Sequence, residues 1–476
     1  MNVLILNPPV DNVKIVREGR CMQRQEAWGT SWAPLTLAIV ASILRDAGFI
    51  VSVKDCSNDD ISFAQLKHII QDFKPDLVIA NTSTPSISGD LKIADLTQGI
   101  DKHIKTVFFG IHVTALAEEI FKENPNVELI VDGEPEYTLR DLALALRDAH
   151  PISQVKGLIY RANGKIVRNE KRPLIENLDE LPYPAWDMVN INRYRLPITN
   201  RPFLLVLTGR GCPNSCSFCV AAVFYGKKTR IRSWRKIVDE IKYVREKYNV
   251  NDFLFWAENG IINKQHMHEL SQGLAAEAPG LKWVCNGRVD IIDEELLKTM
   301  KRAGCWMIGY GIEAGTQRVL DLMKKNIKID ATEKAIRLTK KVGIEVTAHV
   351  IVGYPGETKD DILNTLKLLK RLDPHYIQVY CCVPFPGSIL YEELKKLGWL
   401  QSSDWSMFEQ NLSVINTPDL SCQEVNALRR KIISAFYLNP RKILKMLIRV
   451  RSIQECVSLL SFAKGYFSSW VHSRNS

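Results

Sequence analysis

Three cysteines fall within eight residues, Cys212, Cys216 and Cys219, in the run T-G-R-G-C-P-N-S-C-S-F-C-V from Thr208 to Val220. With 11 Cys in 476 residues, such a Cys-x3-Cys-x2-Cys pattern is rare by chance. Three thiolates at this spacing suit a metal better than a disulfide. Iron–sulfur clusters are held by cysteine thiolates, and a cubane has four irons to ligate, so three local cysteines leave one iron with an open position. A structural zinc site needs a fourth protein ligand, and neither Cys nor His recurs nearby at finger-like spacing. An electron-carrying ferredoxin needs a fourth cysteine and other spacings, which are also missing.

The remaining cysteines are scattered. Cys21, Cys56, Cys285, Cys305, Cys422 and Cys456 stand singly, the usage expected of a reducing compartment, and the reading is a cytoplasmic protein. The N-terminus, M-N-V-L-I-L-N-P-P, reads as a buried strand ending at two prolines and lacks the basic flank and long apolar run of a signal peptide. No run of 18 apolar residues predicts a membrane span. Net charge is +10, but Arg429 to Ser476 holds ten Lys and Arg against one acid, so +9 of it lies in the last 48 residues. The rest is nearly neutral and carries no signature of nucleic-acid binding.

A loop must be held by elements, and the pattern predicts two sets. Over residues 1–150, short apolar strands alternate with amphipathic helices, the mark of a parallel, doubly wound Rossmann-like sheet. Such sheets bind ligands at the carboxyl ends of their strands. The loops there are Asn81-Thr82-Ser83-Thr84, Gly110-Ile111-His112-Val113-Thr114 and Gly133-Glu134-Pro135-Glu136. None is a G-x-G-x-x-G or a P-loop, which disfavours a dinucleotide or nucleoside triphosphate. Residues 151–199 read as a linker with a hairpin at Asn163-Gly164 and helix-breaking prolines at Pro182 and Pro184. Residues 200–400 give about six further strand–helix repeats, short of the eight of a closed barrel, so the expectation is α/β with a partial (β/α)6 TIM-type barrel. Residues 401–476 read as a helical, basic C-terminal region.

The loops of residues 1–150 resemble those of the cobalamin-binding domain that precedes many radical S-adenosylmethionine (SAM) enzymes, where Gly-x-His-x-Thr and Gly-Glu-x-Glu recur. The resemblance implies cobalamin contacts from Thr82, Ser83, Gly110, His112, Thr114, Gly133 and Glu134. One departure stands out. No Asp-x-His-x-x-Gly follows the first strand, and the first histidine is His68, so a histidine from that loop is not expected as the lower ligand of cobalt.

Cys212, Cys216 and Cys219, following a strand, match the signature of the radical SAM superfamily, in which the open iron chelates SAM. That resemblance implies a 4Fe-4S cluster on these cysteines and SAM contacts from Phe218 (adenine), Glu258 (amino group), Arg288 (carboxylate) and Glu313. Structural alternatives exist: Phe218 as a plug under the loop, and Arg288 as the partner of Asp290 or Glu294. Gly309-Tyr310-Gly311-Ile312-Glu313-Ala314-Gly315, Met323-Lys324-Lys325, Val352-Gly353-Tyr354-Pro355-Gly356-Glu357-Thr358 and Pro384-Phe385-Pro386-Gly387-Ser388 also match in order. The Cys381-Cys382 pair ends the last strand, where alternation allows at most one of them to line a site.

The layout resembles the B12-binding radical SAM class, near the anaerobic magnesium-protoporphyrin ester cyclase and hopanoid-modifying branch. It implies cleavage of SAM to a 5'-deoxyadenosyl radical that takes hydrogen from an unactivated carbon. C-methylation of a lipophilic or secondary-metabolite substrate is favoured, the alternative being a non-methylating cyclase or ring-rearranging oxidoreductase. An external donor such as flavodoxin or ferredoxin would supply the electron. A tRNA methylthiotransferase shares the cysteine motif, but its N-terminal half carries three cluster cysteines and this one has only Cys21 and Cys56. No side chain is nominated as catalytic. In the tail, Ile443, Leu444, Leu447 and Ile448 form an apolar stripe beside Lys442, Lys445 and Arg449, followed by Tyr466, Phe467 and Trp470. Such a face suits the inner surface of a membrane or packing on the barrel.

Overall fold

The computed structural model describes residues 1–10, 14–18, 23–24, 31–196, 199–261, 263–449 and 457. Its first sheet holds β1 (Asn2–Asn7), β2 (Ile50–Asp55), β3 (Leu77–Asn81), β4 (Lys105–Phe109) and β5 (Leu129–Val131), parallel in the order β2-β1-β3-β4-β5. The strands read as continuous apolar runs because helices cover both faces. α1 (Leu35–Asp46) and α4 (Glu136–Arg147) pack on one face, α2 (Phe63–Phe73) and α3 (Lys92–Ile100) on the other. α2 starts on a capping box in which Ser62 and Gln65 exchange hydrogen bonds. The chain reverses direction across the sheet between β1 and β3, so the loops after these two strands flank the switch point where ligands of such sheets lie.

The hairpin read as part of the linker belongs to this sheet. β6 (Leu158–Ala162) pairs antiparallel with β5, and β7 (Lys165–Arg168) follows through Asn163-Gly164, both left-handed at φ 48° and 73°, the requirement of a type I′ turn. The hairpin covers the edge that β5 would otherwise leave bare.

The second sheet runs β8 (Phe203–Leu207), β9 (Asp252–Trp256), β10 (Lys282–Gly287), β11 (Cys305–Glu313), β12 (Glu345–Val352) and β13 (Tyr376–Cys381), all parallel and in sequential order. β8 and β13 do not pair with each other, so the wall is the open six-stranded barrel that the alternation predicts. α5 (Ala221–Tyr225) follows the cysteine loop, and α6 (Trp234–Tyr248), α7 (Lys264–Glu277), α8 (Glu294–Arg302), α9 (Ile329–Lys341) and α10 (Lys359–Leu372) return the chain between strands. The free edge of β13 is closed by α11 (Cys422–Tyr437). There Tyr437 Oη accepts from Ile377 N at 2.9 Å and donates to Ile377 O at 3.0 Å, and Arg429 Nε donates to Val379 O at 2.7 Å. Side chains thus replace the missing strand.

The tail reading is refined by α12 (Pro440–Arg449). Ile443, Leu444, Leu447 and Ile448 are 41%, 59%, 52% and 73% exposed, a bare apolar stripe. Lys442 does not flank it. Its stem is buried and its ammonium lies over the Phe436 ring, 3.2 Å from Asp373, because its position on the helix faces α11 and the turn before β13 and not solvent. Tyr466, Phe467 and Trp470 lie outside the described residues, as do Cys21 and Cys456.

The loop after β12 holds a buried acid. Glu357 Oε2 accepts from Gly353 N at 2.6 Å and Tyr354 N at 3.2 Å, while Oε1 has no partner. Burial pushes its carboxyl up to about 8 despite these two donors. A raised folded value means that the native state keeps a proton the unfolded chain has released, so this group's contribution falls as pH rises from about 4.5 to about 8. Glu357→Gln is therefore expected to be near neutral at about pH 5 and stabilising by on the order of 3 kcal/mol at about pH 9. Urea denaturation of both proteins at the two pH values checks this; a pH-independent difference contradicts it.

Candidate active site

The cysteine loop leaves β8 through a two-residue ribbon, Gly209–Arg210 against Arg230–Ile231. Gly211 follows at φ 81°, and a Cβ there would stand 2.1 Å from Lys228 O, so only glycine passes. Glu258, at the end of β9, accepts from Gly211 N at 3.0 Å. Beyond the bend, Ser217 N donates to Met323 O at 3.1 Å, and the Ser217 and Tyr354 hydroxyls lie 2.6 Å apart. The loop is thus pinned on both sides of its thiols. Cys212, Cys216 and Cys219 are partly exposed, in no disulfide, and all line one cavity of about 420 Å³. Burial pushes the Cys216 thiol up, with the Lys325 ammonium pulling the other way.

The residues expected around SAM gather on the same cavity: Phe218, Glu258, Arg288 and Glu313. Arg288 is engaged by Asp290 through Nε at 3.0 Å and a terminal nitrogen at 2.8 Å, the structural alternative in its reading. Glu313 sits where β11 shifts register against β12, in the left-handed region at φ 56°. A non-glycine residue held there is strained and re-aimed, and its carboxylate meets Lys325 Nζ at 2.5 Å. Lys325 is the partner that single-residue reasoning missed, although the Met-Lys-Lys run containing it was visible. Cys381 and Cys382 both adjoin the cavity, against the expectation of at most one, because β13 ends at Cys381 and its alternation stops there.

The three thiols share a wall without already converging. Among the described residues no three His, Cys, Asp or Glu side chains surround one point, and Cys212 Sγ lies 3.3 Å from Asn214 Nδ2. The donor set nonetheless fits an iron–sulfur cluster: three thiols in no disulfide on one cavity wall, with Lys325 and Arg288 on the same cavity.

At the first sheet the expected cobalamin residues lie along the strand ends. Thr82 Oγ1 donates to Phe109 O at 2.9 Å, Ser83 N to Asp90 at 3.0 Å, and Thr114 Oγ1 to Val131 O at 3.3 Å while accepting from Gly133 N at 3.4 Å. A Cβ on Gly110 would stand 2.5 Å from Thr82 O. His112 is fully buried, with Nδ1 3.3 Å from Thr84 Oγ1, Nε2 unpartnered, and the Trp405 ring edge-on at 4.8 Å. Burial pulls its imidazole down to about 3, so it is neutral. The space among Arg17, Asn81, Thr82, Gly110, Phe224 and Tyr225 is about 20 Å³, room for about one water. The residue types suit a ligand laid over the strand ends.

Glu134 is placed differently from its reading as a cobalamin contact. Its carboxylate takes Arg210 at 3.1 Å, Arg230 at 2.9 Å and Ile175 N at 2.8 Å, while Glu136 pairs with the other arm of Arg210. All four side chains are at most 4% exposed. Burial alone would push Glu134 up, but the two guanidiniums hold it below the usual carboxylate range. The Gly-Glu-Pro-Glu turn therefore grips the ribbon that carries the cysteine loop, two residues ahead of Cys212.

Comparison with known proteins agrees with this geometry. Residues 206–369 match the radical SAM superfamily and residues 27–143 the B12 binding domain. Over 445 residues the chain is 29% identical to an uncharacterised methyltransferase of Pyrococcus horikoshii, covering 94% of each. It is 32% identical over 371 residues to the anaerobic magnesium-protoporphyrin IX monomethyl ester cyclase of Rubrivivax gelatinosus, covering 76% of this chain and 66% of that one. Among solved structures, the radical SAM methyltransferase TsrM of Kitasatospora setae, with cobalamin and a 4Fe-4S cluster bound, superposes with a TM-score of 0.74 at 17% identity. That match covers 98% of this chain and 100% of the other, a likeness of fold.

Proposed function

We propose that this chain, which belongs to the B12-binding radical SAM superfamily, methylates an unactivated carbon of a small lipophilic molecule. It is an enzyme whose cofactors are a 4Fe-4S cluster, SAM and cobalamin. What supports methylation over cyclisation is the relative covered over 94% of its length, which bears the name of an uncharacterised methyltransferase, whereas cyclase relatives are covered over 66% and 82% of theirs. When bound, the cluster and SAM supply a 5'-deoxyadenosyl radical that removes a substrate hydrogen, and cobalamin supplies the methyl group.

The chain's own residues bind and orient. Cys212, Cys216 and Cys219 hold the cluster, and Glu258 fixes the bend before them. Lys325 and Glu313 present opposite charges to the cavity, matching a zwitterionic amino acid head, and Phe218 offers an aromatic face for adenine. Thr82, Ser83, Gly110, His112 and Thr114 would form the floor of a corrin site. With SAM deuterated in its methyl group, the product is expected to gain three deuterons; a product that only loses hydrogen favours the cyclase reading.

Two finer assignments join it. With no second three-cysteine group in the chain, the cluster draws its electron from an external flavodoxin or ferredoxin. The bare stripe of α12, with Arg441 and Lys445 exposed beside it, fits peripheral contact with the inner, anionic face of a membrane; no helix among the described residues is long and apolar enough to cross one. Leu444→Glu with Ile448→Glu is expected to lower co-sedimentation with anionic vesicles about fivefold or more. Equal partitioning of the two proteins removes the assignment.

A further inference from the structure

The cavity lined by the cysteine loop does not stop below it. It runs the length of the barrel to Phe203 and Tyr376, the first residues of β8 and β13, and to Trp306, the second of β11. β13 spans six residues, so the lumen is about 20 Å long. Between its ends Leu254, Val284, Ile351, Val379 and Ile433 give it an apolar wall. A closed barrel fills this space with layers of side chains; here about 420 Å³ stays unfilled. The first domain is seated over the carboxyl ends of the strands. There the Trp32 ring meets Trp256 edge-on at 4.9 Å, and a Cβ on Gly387 would stand 3.3 Å from Ala115 Cβ.

The opposite end belongs to the last two helices. α11 runs antiparallel to β13: Asn426 Oδ1 lies 3.5 Å from Cys381 Sγ, Arg429 Nε 2.7 Å from Val379 O, and Tyr437 Oη 2.9 Å from Ile377 N. α12 therefore begins at the base of the barrel. Lys442 and Lys445 tie it there to Asp373, in the turn that enters β13, at 3.2 Å and 2.6 Å. Its bare apolar stripe, extended by the exposed Leu438, thus stands at the end of the barrel farthest from the thiols. From Val425 to Arg449 the chain carries seven Lys and Arg and no Asp or Glu, which complements an anionic lipid surface.

We propose that the substrate is a membrane lipid with an elongated apolar body, taken from the bilayer at α12 and drawn through the base of the barrel until its reacting carbon lies under the cysteine loop. Two features far apart in the chain meet in this route: an apolar lumen as long as the barrel, and an apolar, acid-free helix fixed at its far end. A body that fills the lumen is about as long as β13. It reaches the thiols without crossing the carboxyl ends, where the residues for SAM and the corrin stand, and by filling the lumen it keeps water from the reacting end. A water-soluble substrate would gain nothing from the wall or from the stripe. The proposal rests on the readings that the cysteine loop carries the cluster and SAM and that α12 touches a membrane; it adds the shape of the substrate and the side from which it comes.

The test uses the reconstituted full chain, anionic vesicles and the linear polyene trans-parinaric acid, whose fluorescence rises in an apolar site. Wild type is expected to bind the probe saturably and to lose it to straight-chain alcohols, each added methylene strengthening displacement about threefold. Ile433→Trp and Leu254→Phe narrow the lumen and should each weaken binding about tenfold with vesicle co-sedimentation unchanged. Transfer of the probe from vesicles to wild type should quicken in proportion to vesicle concentration, the mark of delivery on contact. Leu444→Glu with Ile448→Glu should slow transfer about tenfold, make it independent of vesicle concentration, and leave binding of probe added from water as in wild type. No saturable binding, unweakened binding in either lumen variant that unfolds at the wild-type midpoint, or equal transfer by wild type and the helix variant overturns the proposal. The SAM-induced change in the cluster's EPR spectrum and co-sedimentation are read on the same samples. A cluster indifferent to SAM, or wild type that does not sediment with the vesicles, overturns a premise and the proposal with it; a normal SAM response and normal sedimentation with equal transfer overturn the proposal alone.

Discussion

Cys216→Ala reduces 5'-deoxyadenosine formation by about two orders of magnitude or more, to the background of the reductant alone. The expectation follows from arithmetic on ligands. With three local thiolates the cluster has one iron open for SAM; with two, a second iron loses its only protein ligand, and no other three-cysteine group exists to rescue it. The loss should be chemical and not structural. Cys216 is partly exposed on a loop whose anchors, Ser217 to Met323 and Gly211 to Glu258, do not involve its sulfur. Iron content after anaerobic reconstitution should therefore fall while the denaturation midpoint stays within the range of an ordinary surface change, about 0.5 kcal/mol. Wild-type iron content together with wild-type SAM cleavage in this variant would remove the cluster from the loop.

The second large effect lies away from the thiols. Arg210→Met is expected to cost about 3–5 kcal/mol, because it leaves Glu134 and Glu136 buried with only Arg230 to face them. Glu136 already has one oxygen without a partner. Removing both a charge and its mate is less costly than removing one, so Arg210→Met with Glu136→Gln should recover part of the loss, and the coupling is read from the double-mutant cycle. Cluster retention should fall along with stability, since the ribbon that Arg210 anchors leads directly into the cysteine loop. Urea denaturation and iron content, measured on both variants, check the two parts separately. A loss under about 1 kcal/mol, the size of a surface ion pair, would contradict the buried lattice.

What could be read from the chain and what could not divides along physical lines. The strands of both sheets announce themselves as short apolar runs between amphipathic helices, since parallel strands are buried on both faces, although their register is set by partners far away in sequence. The cysteine loop was legible because its ligands are local. Glu134 was not: its neighbours in sequence form a turn typical of a ligand loop, and the partners that claim its charge stand 76 and 96 residues away. Arg288 went to Asp290, two residues on, the short-range competitor weighed for it. The reach of the lumen to the base of the barrel gave no signal at all, because residues on separate strands line one cavity only once the barrel's register is set. The hairpin at Asn163-Gly164 was visible as a turn, but the edge it would cover was not.

The closure of β13 by Tyr437 and Arg429 has an evolutionary consequence. In a fully closed barrel, reshaping the lumen means altering strands that also carry the cofactor-binding ends. Here one side of the lumen is a single helix, and Ile433 and Tyr437 reach the cavity from it. Substitutions along α11 can widen or narrow the space offered to a new acceptor while the cysteine loop and the strand ends stay untouched. Paralogues of this architecture should therefore diverge fastest along that one helix, and exchanging it between them is the shortest route to a changed substrate range.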